Sequence, residues 1–260
     1  VKDNIFFGNG RHPTVRFAHT SRENVKMSGN RIVEPARGAL RTADQGRVGH
    51  ALLCDGAGSF MRTHHRPELD PQTLTLEAWI RLEAYPTGKD RRRWIAAKND
   101  NEWIDGHFAI LVSGATPAAG VNVGGGKENQ FFVSAPERRI ELKRWHHLAV
   151  TYDGTTLSLF VDGIKADSRV VGRKRVSGRG DFAIGCRPDG FRRADFVGTI
   201  DEVTLYSRAL SGNEIAGRFD RPEARPRDGV VDRWSFEEVE DHKGDVEKVI
   251  AKAGIRSDGD

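Results

Sequence analysis

The residues best able to do chemistry on this chain lie in two short polar stretches. Residues 99–106, NDNEWIDG, set Asn99, Asp100, Asn101, Glu102 and Asp105 around Trp103. An indole can cover the apolar face of a pyranose while amides and carboxylates take its hydroxyls. Trp103, Asn101 and Asp105 are therefore candidate sugar-binding residues; the competing reading folds Trp103 onto a rim and leaves its acids solvated. Residues 187–195 offer Phe191 with Arg192 and Arg193, whose guanidinium forks suit an acidic sugar or a sulfate. Catalytic signatures are missing: there is no Gly-x-Ser-x-Gly elbow, no His-Glu-x-x-His helix and no Cys-x-x-Cys cluster. His146 and His147 are adjacent, as are Asp201 and Glu202. Neighbours on a strand point to opposite faces, so neither pair is expected to chelate one ion or share one sugar bond. His64 and His65 are expected in a loop.

The elements that must position these groups read as strands. In residues 73–82, TLTLEAWIRL, Leu74, Leu76, Ala78, Ile80 and Leu82 share one face and Thr73, Thr75, Glu77 and Arg81 the other. Further strands are predicted at residues 51–54, 107–113, 147–152, 156–161, 181–185 and 196–206, separated by Asp-Gly, Gly-rich and Pro-containing turns. Many short strands of this kind predict an all-β antiparallel jelly-roll β-sandwich. Ser211 and Glu214 have capping-box spacing ahead of Ile215, which predicts a helix after the last strand. Asp201 shares parity with Val203 and Leu205, so its carboxylate falls on the apolar side of its strand, where an uncompensated charge is costly. Cys54 and Cys186 permit one disulfide, but each sits in a strand-like run where a small buried thiol also serves as core.

Four stretches in order carry a family resemblance: ALLCDG at 51–56, TLEAWIRL at 75–82, WHHLAVTYDGTTLSLFVDG at 145–163 and FVGTIDEVTLYSRALSGNEI at 196–215. Together they resemble the laminin-G-like domains of the concanavalin A-like lectin/glucanase superfamily, over residues 47–219. The resemblance implies a concanavalin A-like sandwich. It also implies a structural Ca2+ ion held by Asp201 and backbone oxygens near Asp55 and Gly56, oxygen ligands of the hard kind calcium prefers. The alternative is that Asp201 accepts hydrogen bonds from backbone or an arginine. Hydrolytic members of the superfamily place two carboxylates on one strand as Glu-x-Asp-x-x-Glu; this chain has no such strand, so the sandwich itself is not expected to be an enzyme. Such domains often open on a Trp-x-Phe strand, and here one occurs at Trp234 and Phe236 instead. Residues 230–236 either complete the sandwich or belong to a neighbouring module.

The flanks are read separately. Residues 3–9, DNIFFGN, and 23–30, ENVKMSGN, repeat after about 20 residues, a spacing suited to β-helix-like coils that stack on one another. Residues 1–34 resemble the last coils of a pectate-lyase-like parallel β-helix and are expected to lie outside the sandwich core. Residues 220–260 are expected to hold a linker, a strand and a C-terminal helix over 245–253, with an ending that resembles the tail of β-helix polysaccharide-processing proteins.

Lys and Arg number 41 against 37 Asp and Glu, a net charge of +4. The basic runs at 91–93 and 169–179 lack interleaved aromatics, so they read as solvated loops and nucleic acid is not an expected partner. No window offers the roughly 18 apolar residues of a membrane span, and the first thirty residues lack a signal-peptide layout. The expected function is an extracellular or periplasmic carbohydrate-binding, lectin-like module of a larger secreted, polysaccharide-directed protein, with a glycan and a neighbouring domain as partners. The alternatives are a non-catalytic protein-interaction or architectural domain, and part of a β-helix polysaccharide lyase or hydrolase.

Overall fold

The computed structural model describes residues 46–56, 59–86, 91–189, 195–225 and 228–236, together with three short strands nearer the start. In chain order the strands are β1 (Ile5–Phe7), β2 (Arg31–Val33), β3 (Arg41–Ala43), β4 (Ala51–Asp55), β5 (Met61–Thr63), β6 (Leu74–Leu82), β7 (Arg92–Lys98) and β8 (Phe108–Ser113). They continue as β9 (Thr116–Asn122), β10 (Gln130–Ser134), β11 (Trp145–Tyr152), β12 (Thr156–Val161), β13 (Ile164–Val170), β14 (Phe182–Ile184), β15 (Val197–Tyr206) and, after helix α1 (Gly212–Asp220), β16 (Val230–Trp234).

Two antiparallel sheets face each other. One runs β13-β12-β11-β6-β15-β4-β3, with β16 also paired to β15; the other runs β10-β9-β8-β7-β14-β5. Leu74, Leu76, Ala78, Ile80 and Leu82 of β6 meet Ile95, Phe108, Ile110 and Val112 of the opposite sheet in one continuous core, as the period-2 pattern requires. Trp234 belongs to that core, and its indole stacks on Phe182 across the sandwich, with ring centroids 4.7 Å apart. Of the two readings of residues 230–236, completion of the sandwich is the one observed: Val203 pairs with Trp234 and Leu205 with Asp232.

The second face of β6 departs from the alternation, because Thr75, Glu77 and Trp79 are as buried as the core residues. The 208–210 segment covers Thr75, and helix α1 covers Glu77 and Trp79. Ser211 caps it as predicted: its Oγ accepts from the Glu214 N–H at 3.3 Å, and Glu214 returns a carboxylate to the Ser211 N–H at 2.8 Å. From α1, Phe219 stacks on Trp79 and Arg218 donates to Glu77 at 2.9 Å. Tyr206 donates to the same carboxylate at 2.7 Å, and His147 lies against it at 3.2 Å. Burial pushes the Glu77 carboxyl up, but His147, Arg218 and Tyr206 together hold it below its usual range.

His146 points the other way, to Asp162 at 2.9 Å, so the two histidines do occupy opposite faces. Asp162 and Gly163 both have positive φ, the conformation that a tight two-residue hairpin demands. Cys54 and Cys186 are both buried free thiols.

Near the start, β1 and β2 pair in parallel with Ile5 opposite Arg31, a longer offset than the 20-residue repeat. The rest of the expected coils, and the helix expected at 245–253, fall outside the described residues.

Candidate functional site

β7 ends at Lys98 and the chain turns sharply through Asn99 and Asp100, both at positive φ, before Gly106 re-enters β8. Asn99 is fully buried and closes this loop. Its Nδ2 donates to the Gly106 carbonyl at 2.9 Å, and its Oδ1 accepts from Gly180 N at 2.7 Å and Lys98 Nζ at 2.9 Å. His107 donates from Nδ1 to the Asn99 carbonyl at 2.7 Å, and burial pushes its pKa down to about 4, so the imidazole is neutral at physiological pH.

Beneath the loop, Arg175 is buried. Its Nη2 donates to Asp70 Oδ1 at 2.5 Å and to the Pro71 carbonyl at 2.6 Å, and its Nη1 donates to the Gly106 carbonyl. The second Asp70 oxygen accepts from Gly178 N at 2.6 Å. Segments 70–71, 99–106 and 172–181 are thereby tied into one base.

A second loop, residues 123–129, lies alongside. Asn122 donates to the carbonyls of Glu102 at 3.0 Å and Gly126 at 2.8 Å, and accepts from Gly124 N and Gly125 N. Gly126 N donates to the Trp103 carbonyl at 2.8 Å. The loops approach so closely that a Cβ on Gly125 would lie 2.1 Å from Asp105 Oδ1, and Gly125 also has φ +72. Only glycine fits there.

On this base Trp103 is 46% exposed, with the Lys127 ammonium 4.6 Å from its ring centroid. Asp105 is exposed on the same loop with its carboxylate toward Gly125, while Asn101 uses Oδ1 to accept the Trp103 N–H at 3.0 Å. Trp103, Asn101 and Asp105 thus stand on one loop. Glu102 turns inward and pairs with Arg92 at 2.8 Å and Arg187 at 3.3 Å, so it is not poised to protonate a sugar bond. The sequence reading missed Lys127, because GGGKEN reads as a plain turn; only its placement over the indole makes it part of a site. Phe191 and Arg192 lie outside the described residues.

Asp201 and Asp55, expected to hold calcium with Gly56, lie on the paired strands β15 and β4, with Gly56 just after β4. Asp55 pairs with Val197, and Asp201 lies four residues further along β15, about 13 Å at the rise of a strand. Asp201 receives the N–H groups of Val48 at 3.0 Å and Glu202 at 2.7 Å, and Asp55 receives Ser59 N at 3.2 Å. Asp201 and Gly56 are separated for the same reason. Glu202, at φ +50, lies in a bulge and turns to Arg233 at 2.8 Å; the bulge sets Asp201 opposite Trp79 while Leu205 lies opposite Leu76, so Asp201 falls on the face away from the core and not on the apolar side expected from its parity with Val203 and Leu205. Among the described residues no three His, Cys, Asp or Glu side chains converge as a metal site.

Burial raises the Asp201 pKa from its ordinary 3.8 to about 7. The folded state then holds the proton more tightly than the unfolded chain, and this stabilisation is complete below about pH 3.8 and lost as pH rises through 7. In melting curves from pH 4 to 8, the advantage of the wild type over Asp201→Ala is expected to shrink steadily with pH. An advantage that grows with pH would contradict the assignment.

A family model for concanavalin A-like lectin/glucanases matches residues 55–216, well over half of the sequence. The chain belongs to the concanavalin A-like lectin/glucanases superfamily. The laminin-G-like resemblance of the four sequence stretches agrees with this family. Human Usherin is 35% identical over 83 residues, an alignment spanning 30% of the chain and 2% of Usherin. Among solved structures, the binding domain of Paraclostridial Mosquitocidal Protein 1 superposes with a TM-score of 0.61 at 17% identity, covering 75% of the chain and 48% of that domain. Domain 4 of AbnA, a GH43 extracellular arabinanase from Geobacillus stearothermophilus in complex with arabinotriose, superposes with a TM-score of 0.53 at 19% identity, covering 69% and 81%. No helix among the described residues is long and apolar enough to cross a membrane.

Proposed function

We propose that the chain is a carbohydrate-binding, lectin-like module of a larger extracellular, polysaccharide-directed protein, and that it binds sugar at the Trp103 platform. The observation that carries this is a half-exposed indole, flanked by Lys127, on loops held rigid by buried Asn99, Asn122 and Arg175, with exposed Asp105 on the same loop. Rigidity matters because a sugar offers few strong contacts and leaves little to spend on ordering loops. The arabinotriose-bound arabinanase domain supports the reading as a sandwich of the same fold from a secreted enzyme.

A second reading rests on Ile104 and Val176, which are 40% and 41% exposed and stand on the same tied loops as Trp103. Such an apolar group also suits a protein partner. A glycan array separates the two.

If the platform is a sugar site, Trp103→Ala loses about 1 to 3 kcal/mol of glycan affinity, by analogy with stacking of bases on aromatic side chains. Its stability stays within about 0.5 kcal/mol of the wild type, as for other surface changes. A melted domain, or unchanged affinity for a glycan the wild type binds, removes Trp103 from the site.

A further inference from the structure

At the other end of β8 from Trp103, the outer face of the six-stranded sheet carries a groove of about 550 Å³. Its floor is made by small outward-facing residues on neighbouring strands, Ser113, Thr116 and Ser134, with Ala118 between them. Alternation explains the opening: these positions point away from the core, and none carries a side chain large enough to fill the space above the sheet. Tyr85 stands at the side, 36% exposed, its hydroxyl fixed by donation to the Ile140 carbonyl at 2.9 Å. Arg91 and Arg139 complete the lining.

The two arginines decide what the groove can take. Both are exposed, and neither has a carboxylate partner among the described residues, whereas Arg92, Arg175, Arg187, Arg208, Arg218 and Arg233 are each paired. Arg91 is also placed: its Nη2 lies 2.8 Å from where a Cβ on Gly114 would stand, and Gly114 has φ +63. The nearby carboxylate of Asp167 is already engaged by the N–H groups of Ser134 at 2.9 Å and Ser168 at 2.7 Å. An open groove with an aromatic wall, a floor of hydroxyls and two guanidinium groups that have no carboxylate partner among the described residues fits a sugar ring bearing an oxyanion.

We propose that this groove binds an acidic sugar unit of a polysaccharide, its carboxylate or sulfate held by Arg91 and Arg139 and its ring set against Tyr85. The proposal rests on the carbohydrate-binding reading and narrows it to acidic polymers. It uses a site separate from the Trp103 platform, so a long chain could engage either or both.

The test is affinity electrophoresis of the full chain through gels holding dextran, dextran sulfate or polygalacturonate. The wild type is expected to be retarded by one acidic polymer more than by neutral dextran. Which acidic polymer does so separates sulfate from uronate. Arg91→Gln/Arg139→Gln should weaken that binding about tenfold or more, the scale of losing charge-assisted hydrogen bonds. Arg221→Gln/Arg225→Gln removes the same charge from exposed positions elsewhere and should bind as the wild type does. The proposal is overturned if the two double variants behave alike, or if the wild type prefers the neutral polymer. Glycan binding that needs Trp103 but ignores Arg91 and Arg139 would sink the groove and leave the platform standing. A blank glycan array together with no retardation would remove the carbohydrate reading itself.

Discussion

Arg175→Met is expected to destabilise the domain by about 3 to 5 kcal/mol, the usual result of removing one partner from a buried ion pair. Asp70 is left as a buried carboxylate with the Gly178 N–H as its remaining donor from this cluster, and the Gly106 and Pro71 carbonyls lose their shared donor. Much of the cost is the stranded charge rather than the pair itself. Arg175→Met combined with Asp70→Asn should therefore recover part of the loss, measured by urea unfolding of both variants. The damage should also reach the site, since Arg175 ties the Trp103 loop to the 172–181 segment, so residual folded protein should bind glycan more weakly. A change below 1 kcal/mol in the single variant would show that water reaches Asp70 and that the loops are held by their backbone bonds alone.

Trp234→Ala is the second large effect, expected to cost about 3 to 5 kcal/mol as for other fully buried indoles. The side chain has 0% exposure and stacks on Phe182 within 7° of parallel, so its removal opens a cavity between the two sheets. The variant also tests where the domain ends. Truncation after Asp220 removes the strand that pairs with Val203, Thr204 and Leu205 and should be worse than the point substitution. If both proteins melt with the wild type, residues 230–236 do not complete the sandwich.

Much of this fold is readable from residue order alone. β6, β11, β12 and β15 announce themselves through alternating apolar residues, β8 through a continuous apolar run, the Asp162-Gly163 hairpin through its dipeptide, and α1 through Ser211 and Glu214. Other strands escape for identifiable reasons. β7 carries an irregularity between Trp94 and Ala96 that shifts its register. β9, TPAAGVN, is made of small residues whose two faces look alike, and β13 is an edge strand with little buried surface. For the candidate site, Trp103, Asn101 and Asp105 were legible because an aromatic ringed by polar residues stands out from a strand pattern. Lys127 was not, nor was the groove at Arg91 and Arg139: Lys127 reads as a turn residue, Arg91 as part of a solvated basic run, and no local pattern sets Arg139 apart.

The sequence by itself determined an all-β sandwich, because burying one face of each strand forces a period of two that local composition displays, while its concanavalin A-like class came from the resemblance of four motif stretches to that family. Tertiary structure alone decided that Asp55 and Asp201 stand apart, that Glu102 turns inward, that Trp234 belongs to the core, and that Arg91 and Arg139 line one groove. Those facts depend on strand register, bulges and which loop lies over which face. Register is settled by contacts between segments more than a hundred residues apart, and no local pattern records them.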